Sequence, residues 1–266
     1  MPIPAEVPAP LGAPSDQPEL AGVPAEPTQT TSHGPKYAVP NELADKVQDL
    51  AAHNDFAKAI AVITEALAND TGNAELYRLR ATMQCRARNM KLCLDDADKS
   101  VEADNEYAPA LLFRGLARID AGRAKDALGD CDATVRLWSD RPDGYNCRGL
   151  ADRALRDYPS ALSDFDEAVS KDPKFALGYF NQGVTYMLMK KPDDAIASFS
   201  SAIAINEKYD ESFAQRGKLR IGKGDVEGAR TDFAKALSLN VRNHTAAVGI
   251  EGLQVGKALD ALAGRK

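Results

Sequence analysis

The sequence predicts an all-α fold, an α-solenoid built from stacked pairs of helices. A 34-residue pattern of small, large and aliphatic residues recurs six times between residues 40 and 243, without insertion or deletion. Within each copy the apolar residues return at the spacing of two amphipathic helices. One helical hairpin cannot bury both of its apolar faces, so successive copies must stack.

Positions in the pattern are counted from Pro40, and the predicted copies are 40–73, 74–107, 108–141, 142–175, 176–209 and 210–243. Positions 8, 20 and 27 hold mostly small residues, position 4 a large one and position 28 an aliphatic one. Small residues allow two helices to approach closely, and large ones fill the space between layers. The fourth copy shows the pattern most fully, with Gly149, Ala161, Phe165, Ala168 and Pro173.

The second helix of several copies has recognisable start signals. Residues that can cap a helix N-terminus precede four of these helices: Asp55, Asn89, Asp157 and Asp225. In two copies a proline follows within the first turn, where a missing N–H costs little: Pro159 and Pro192. The apolar residues of 244–266 also recur at helical spacing, which predicts a closing helix that shields the last copy.

On these residues the chain resembles tetratricopeptide repeat (TPR) proteins over residues 40–243. The family pattern has a small residue at position 8, alanine at 20 and 27, an aromatic residue at 24 and proline at 32, and the fourth copy matches all of them. The first three copies lack the aromatic residue at position 24. The resemblance implies a right-handed superhelix in which the first helices of the pairs line a concave groove.

Residues 1–39 form a proline- and alanine-rich segment, and ten of the fifteen prolines lie in the first forty residues. We expect this segment to be extended or disordered on its own, because it has too little apolar surface to offset the entropy of ordering. It lacks the basic and apolar stretches of a signal peptide. A cytoplasmic location follows if Met1 is the native start, and a periplasmic or exported one if a signal peptide was removed.

Net charge and hydropathy limit the classes of partner that we expect. The net charge is −6, of which −3 falls in the first forty residues, so the repeats are nearly neutral. This argues against a dedicated nucleic-acid surface. No apolar run approaches the ~18 residues of a transmembrane helix, so we expect no membrane insertion.

Arginine at position 7 and aspartate at position 23 change together along the chain. Four copies have both residues: Arg80 with Asp96, Arg114 with Asp130, Arg148 with Asp164, and Arg216 with Asp232. The fifth copy has lost both and carries Gln182 and Ser198. This covariation predicts an ion pair between the two helices of one copy, replaced by a neutral contact in the fifth.

The cysteines and histidines form no metal or catalytic signature. The cysteine spacings contain no C-x-x-C, and His33, His53 and His244 lie away from the predicted groove. We therefore expect no metal, no cofactor and no enzymatic activity. The four cysteines are expected to be buried thiols. Disulfides are the alternative, with Cys131–Cys147 the better candidate and Cys85–Cys93 the other, and they would indicate an oxidising compartment.

In TPR proteins, ligands usually contact positions 2, 5, 9, 12, 13, 33 and 34. The resemblance implies a groove site at Leu112, Leu116, Asn146, Leu150, Arg153, Phe180, Val184 and Met187. Such an apolar strip suits an extended or helical peptide; alternatively, several of these residues only pack neighbouring helices. The family's carboxylate clamp is disfavoured, because Leu150, Glu211 and Gln215 stand where Asn, Lys and Arg are required.

The predicted function is a non-catalytic scaffold that binds a peptide or protein segment in this groove. The alternative is a structural subunit of a larger complex, whose proline-rich N-terminal segment threads along its partner.

Overall fold

The structure, a computed structural model, describes residues 37–263, with side chains described up to residue 254. Within this range it contains thirteen helices and no strand. They are α1 (Asn41–Ala52), α2 (Phe56–Asn69), α3 (Ala74–Arg86), α4 (Met90–Ala103), α5 (Ala108–Asp120), α6 (Ala124–Leu137), α7 (Pro142–Ala154), α8 (Tyr158–Lys171), α9 (Ala176–Leu188), α10 (Pro192–Ile205), α11 (Asp210–Gly222), α12 (Val226–Leu239) and α13 (His244–Ala263).

The helices form a solenoid in which each packs against the next along the chain. Paired helices recur with the 34-residue spacing of the sequence pattern. The closing helix α13 packs against α11 and α12, where Ala246 joins Phe213 and Phe233 in one buried cluster. Of the segment 1–39 that was predicted to be extended or disordered, residues 1–36 lie outside the described residues. No helix in the described part is long and apolar enough to cross a bilayer.

Two of the four predicted caps make the expected hydrogen bond. The carboxylate of Asp157 accepts from the backbone N–H of Ser160, and that of Asp225 from the N–H of Gly228. Asp55 and Asn89 stand directly before their helices without capping them through the side chain, so this part of the prediction is wrong. Their side chains are used elsewhere: Asp55 accepts from Lys58 Nζ at 2.8 Å, and Asn89 donates to Gln84 Oε1 at 3.0 Å.

The core of the later repeats depends on a ring set against a glycine. A Cβ atom added at Gly183 would lie 2.6 Å from Cε1 of Phe199, which occupies position 24 of the same pair. The corresponding distance from Gly149 to Phe165 is 2.7 Å. Only glycine lets the first helix approach the ring this closely.

A disulfide replaces that ring in the third repeat, so the expectation of buried thiols is wrong. Cys131 at position 24 is bonded to Cys147 in the first helix of the next pair, with a Cα–Cα distance of 5.5 Å. A Cβ atom added at Gly115 would meet both sulfurs, at 3.1 and 2.9 Å. A second bond, Cys85–Cys93, joins α3 to α4, so all four cysteines are paired. Packing of the two helices within the second pair brings Cys85 to Cys93, and packing of the fourth pair on the third brings Cys147 to Cys131.

The second repeat fills the same space from the other side. Its position 24 is Ala97, and the large ring of Phe113, from the first helix of the next pair, belongs to the same buried cluster. Phe113 occupies the position that Cys147 has one repeat later. The missing aromatic residues of the second and third copies are therefore compensated by the repeat that follows.

Replacing Gly183 with alanine should destabilise the protein by about 2 kcal/mol, because the new methyl group must displace the Phe199 ring in a packed core. The matched control is Gly129→Ala on α6, where an added Cβ meets nothing within 4 Å. That change should be neutral or stabilise by up to about 1 kcal/mol through helix propensity. Urea unfolding measures both, and equal shifts of the two midpoints would refute the ring-on-glycine contact.

Iodoacetamide added to the denatured, unreduced protein should label no cysteine, and prior reduction should expose all four. Reduction should also lower the free energy of unfolding by about 2 to 3 kcal/mol per bond, given closed loops of this size. Labelling before reduction, read by mass spectrometry, would contradict the disulfides.

Candidate functional site

The arginine at position 7 links each of four repeats to the repeat before it. Its Nε and Nη2 donate to both oxygens of the position 23 aspartate in the same pair, at 2.6–3.0 Å. The predicted ion pair is thus confirmed in all four copies. Its Nη1 donates at 2.9–3.2 Å to position 25 of the preceding pair, which the sequence did not predict: Thr64, Asp98, Asp132 and Ser200.

The fifth repeat differs from the prediction. Gln182 donates to Asp166 of the preceding pair at 2.7 Å, and Ser198 donates to the carbonyl of Asp194 in its own helix. The neutral contact therefore forms between repeats rather than within one. An amide has two N–H donors on a single nitrogen, whereas a guanidinium has five on three nitrogens and can reach both repeats. Burial raises the pKa of Asp166, and the hydrogen bond from Gln182 only partly opposes this.

In the fourth repeat an acidic residue stands where two other repeats have a second arginine bound to the position 23 aspartate. At position 11 the third and sixth repeats have Arg118 and Arg220, which donate to Asp130 and Asp232 at 2.8 and 2.9 Å. The fourth repeat has Asp152 there. Burial, followed by the nearby carboxylates of Asp164 and Asp157, raises the pKa of Asp152 to about 6. In the described residues, no group of His, Cys, Asp and Glu side chains could hold a metal ion.

Three of the eight predicted groove residues lie in the core. Leu112, Leu116 and Leu150 are at most 5% exposed and belong to the cluster that contains both disulfides. They pack neighbouring first helices against each other, so a partner would reach them only if those helices moved. This is the alternative that the sequence left open for them.

Two other predicted residues belong to a polar chain between neighbouring repeats. Asn181 of α9 donates from Nδ2 to Oδ1 of Asn146 on α7 at 2.8 Å, and both residues are buried. Arg153, which is half-buried on α7, donates from Nη1 to Oδ1 of Asn181 at 3.1 Å. These bonds fix α7 relative to α9 and hold a positive charge beside α9. Asn181 has no role in the predicted site, and its bonds become visible only when the two helices are in place.

The last three predicted residues form a half-exposed apolar face on α9. Phe180, Val184 and Met187 lie one helical turn apart, and α9 contains no charged residue. The Phe180 ring lies 4.9 Å from the ring of Tyr209 and 5.6 Å from that of Phe199 in the core. Phe180 therefore connects this surface to the ring-on-glycine core of the repeat.

Replacing Asp152 with asparagine should stabilise the protein at pH 7 and change little at pH 4. A carboxyl group whose pKa is raised on folding, here to about 6, costs stability as pH rises from about 4 to about 6. The gain at pH 7 should be of order 1 kcal/mol, because solvent screens this partly exposed group. Asp152→Arg should gain more, since Arg118 and Arg220 show the bond that it can form.

The control for Asp152 is Asp95→Asn, an exposed carboxylate on α4, which should change stability little at either pH. Chemical denaturation at pH 4 and pH 7 gives the comparison. An equal effect of Asp152→Asn at both pH values would contradict the assigned cost of this charge.

Comparisons with known proteins agree with this architecture. The family model "Tetratricopeptide repeat" matches residues 176–209, which contain α9 and α10. A search of curated protein sequences finds no match. Among solved structures, a tetratricopeptide repeat protein from Parabacteroides merdae ATCC 43184 is 20% identical with a TM-score of 0.68, over 80% of this chain and 86% of that one.

Two further structures share the fold. PilW, a type IV pilus biogenesis factor, is 14% identical with a TM-score of 0.68, over 80% of this chain and all of its own. The APC/C hetero-tetramer Cut9-Hcn1 gives 15% identity and a TM-score of 0.64, and 80% of this chain matches 46% of that one. The chain therefore carries a tetratricopeptide repeat at residues 176–209 and has the all-α solenoid fold of tetratricopeptide repeat proteins.

Proposed function

We propose that the chain is a non-catalytic scaffold whose six repeats, 40–243, form one array that binds a peptide or protein segment in its concave groove. The uncharged, half-exposed face of α9 carries this proposal, with Phe180, Val184 and Met187 at its centre. A soluble protein rarely leaves a contiguous apolar face open unless it contacts a partner.

The neighbouring residues suit such a partner. Phe180 is supported from behind by Phe199, so it presents a rigid ring rather than a mobile one. Rigid aromatic anchors contribute strongly to binding because little entropy is lost when they make contact. Arg153, whose guanidinium donates to Asn181 on α9, adds a positive charge beside this face.

The charged residues support a structural rather than a catalytic role. The arginine and aspartate pairs recur in four repeats and are held in bidentate hydrogen bonds. A repeated, fully bonded pair stabilises helix register, whereas a catalytic group is needed at one place. Among the similar structures, Cut9 occurs as a hetero-tetramer with Hcn1, so this fold serves protein assembly there.

The groove is tested by selecting peptides from a random library on the intact, immobilised protein and measuring the affinity of one selected peptide by calorimetry. The double change Phe180→Ala and Met187→Ala should weaken binding about 10- to 100-fold, the usual cost of removing two anchors. Met187→Glu, which places a charge on the same half-exposed face, should weaken it as well.

Leu155→Ala is the matched control, because Leu155 is an exposed apolar residue in the turn after α7. It should leave the affinity unchanged. Thermal midpoints of all variants identify any loss caused by unfolding. Unchanged affinity in both groove variants would rule out this face as the binding surface.

A further inference from the structure

Residues 37–39, just before α1, lie along the repeats rather than away from them. The Tyr37 ring lies 4.7 Å from the ring of Tyr107, and its hydroxyl donates to the carboxylate of Asp104. Both partners belong to the turn between α4 and α5, although α1 is part of the first pair. Val39 packs against the core of the first pair. Followed backwards from α1, the chain has therefore reached the far end of the second pair at residue 37.

Tyr37 contacts one of the positions at which TPR proteins bind ligands. Tyr107 is at position 34 of its copy, and its hydroxyl donates to Oε2 of Glu75, at position 2, at 2.8 Å. Glu75 is in turn paired with Arg78, at position 5, and both side chains are largely buried. The ring of Tyr37 thus rests on Tyr107, which hydrogen bonds join to two further ligand-contact positions of the second repeat.

We propose that the segment 1–36 continues along this path and occupies the concave groove of its own chain, where it competes with the partner peptide. This inference rests on the proposed function, because the same face binds both. It names a specific occupant and makes partner binding self-regulated.

The composition of the segment fits the surface ahead of it. Proline-rich segments adopt polyproline II structure and dock on grooves lined by aromatic residues. Beyond Tyr107, position 34 is aromatic again at Phe175 and Tyr209, and Phe180 stacks on Tyr209. At about 3.1 Å per residue, the segment can span on the order of 100 Å, so its reach is not limiting.

The charges are also complementary. The segment carries four carboxylates against one lysine: Glu6, Asp16, Glu19, Glu26 and Lys36. At position 33, on the loop edge beside the groove, the fourth to sixth copies have exposed basic residues: Lys174, Lys208 and Arg242. The second and third copies have Glu106 and Asp140 there. The edge thus becomes basic in the direction in which Tyr37 leads the acidic segment.

The test uses the intact chain with Thr28→Cys carrying a spin label. Because the four native cysteines are paired, the introduced thiol is the only one available for labelling. Paramagnetic broadening of NMR signals then reports which surface the segment visits. We expect strong loss of signal for Val184 and Met187 on α9, and none for Ala197 and Ala204, which are exposed on α10.

Variants at the anchor separate docking from chance proximity. Tyr37→Ala should abolish the broadening, whereas Tyr37→Phe, which retains the ring, should preserve most of it. For a peptide selected from the library, Tyr37→Ala should tighten the apparent affinity about five- to tenfold, because an intramolecular competitor at millimolar effective concentration is released.

Mixing two differently labelled samples of the protein distinguishes docking of the segment on its own chain from docking on a second copy. If spin-labelled, isotopically unlabelled protein broadens α9 signals of isotopically labelled protein, the segment binds a second copy and the intramolecular proposal is overturned. Absence of broadening on α9 also overturns it. Peptide binding at α9 without broadening by the segment would leave the proposed function intact. Broadening at α9 with no peptide bound there would instead sink the proposed function and leave the docking of the segment standing.

Discussion

The close approach of the two helices in each pair is the constraint on which the rest of the structure depends. Position 24 lies against position 8 of its own pair and faces the first helix of the next, so one site joins three helices. In the second to sixth copies, three solutions fill it: a ring on glycine at Phe199 and Gly183, a disulfide at Cys131, and a small residue with a neighbouring ring at Ala97 and Phe113. Because each solution keeps the packing distance, the helices stay in register although the residues change.

The charged groups also recur with the repeat and join its helices. The forked arginines join neighbouring repeats as well as the helices of one repeat, so charge that looks catalytic in isolation serves helix register. The fifth repeat gives up this arginine, and its first helix, α9, has no charge at all. The array is therefore least polar where it presents Phe180, Val184 and Met187. The face proposed for binding thus lies in the repeat that has lost the arginine–aspartate pair of its neighbours.

The periodic part of the structure was predictable from sequence because it obeys a local rule. Helix spacing, the ion pairs and the closing helix each repeat or follow from a recurring pattern. Contacts that pass between repeats were harder to predict. The Cys131–Cys147 bond, the Gln182–Asp166 bond and the burial of Leu112 and Leu150 depend on how one pair sits on the next, which a single copy does not specify. Tyr37 lies outside the repeat pattern altogether, and only its contact with Tyr107 shows where it belongs.

The turns illustrate the same division. All six turns within pairs place one residue in the left-handed region, and Gly122, Gly224 and Asn54 suit it; the others are Arg88, Arg156 and Lys190. Packing of the paired helices imposes this conformation against local preference.

The central claim, that such an array uses the α9 face to bind an extended segment, is tested most directly by a crystal structure with a library-selected peptide. The account predicts a peptide in contact with Phe180 and Met187 on the concave face; a peptide seated on the outer face of the second helices would contradict it.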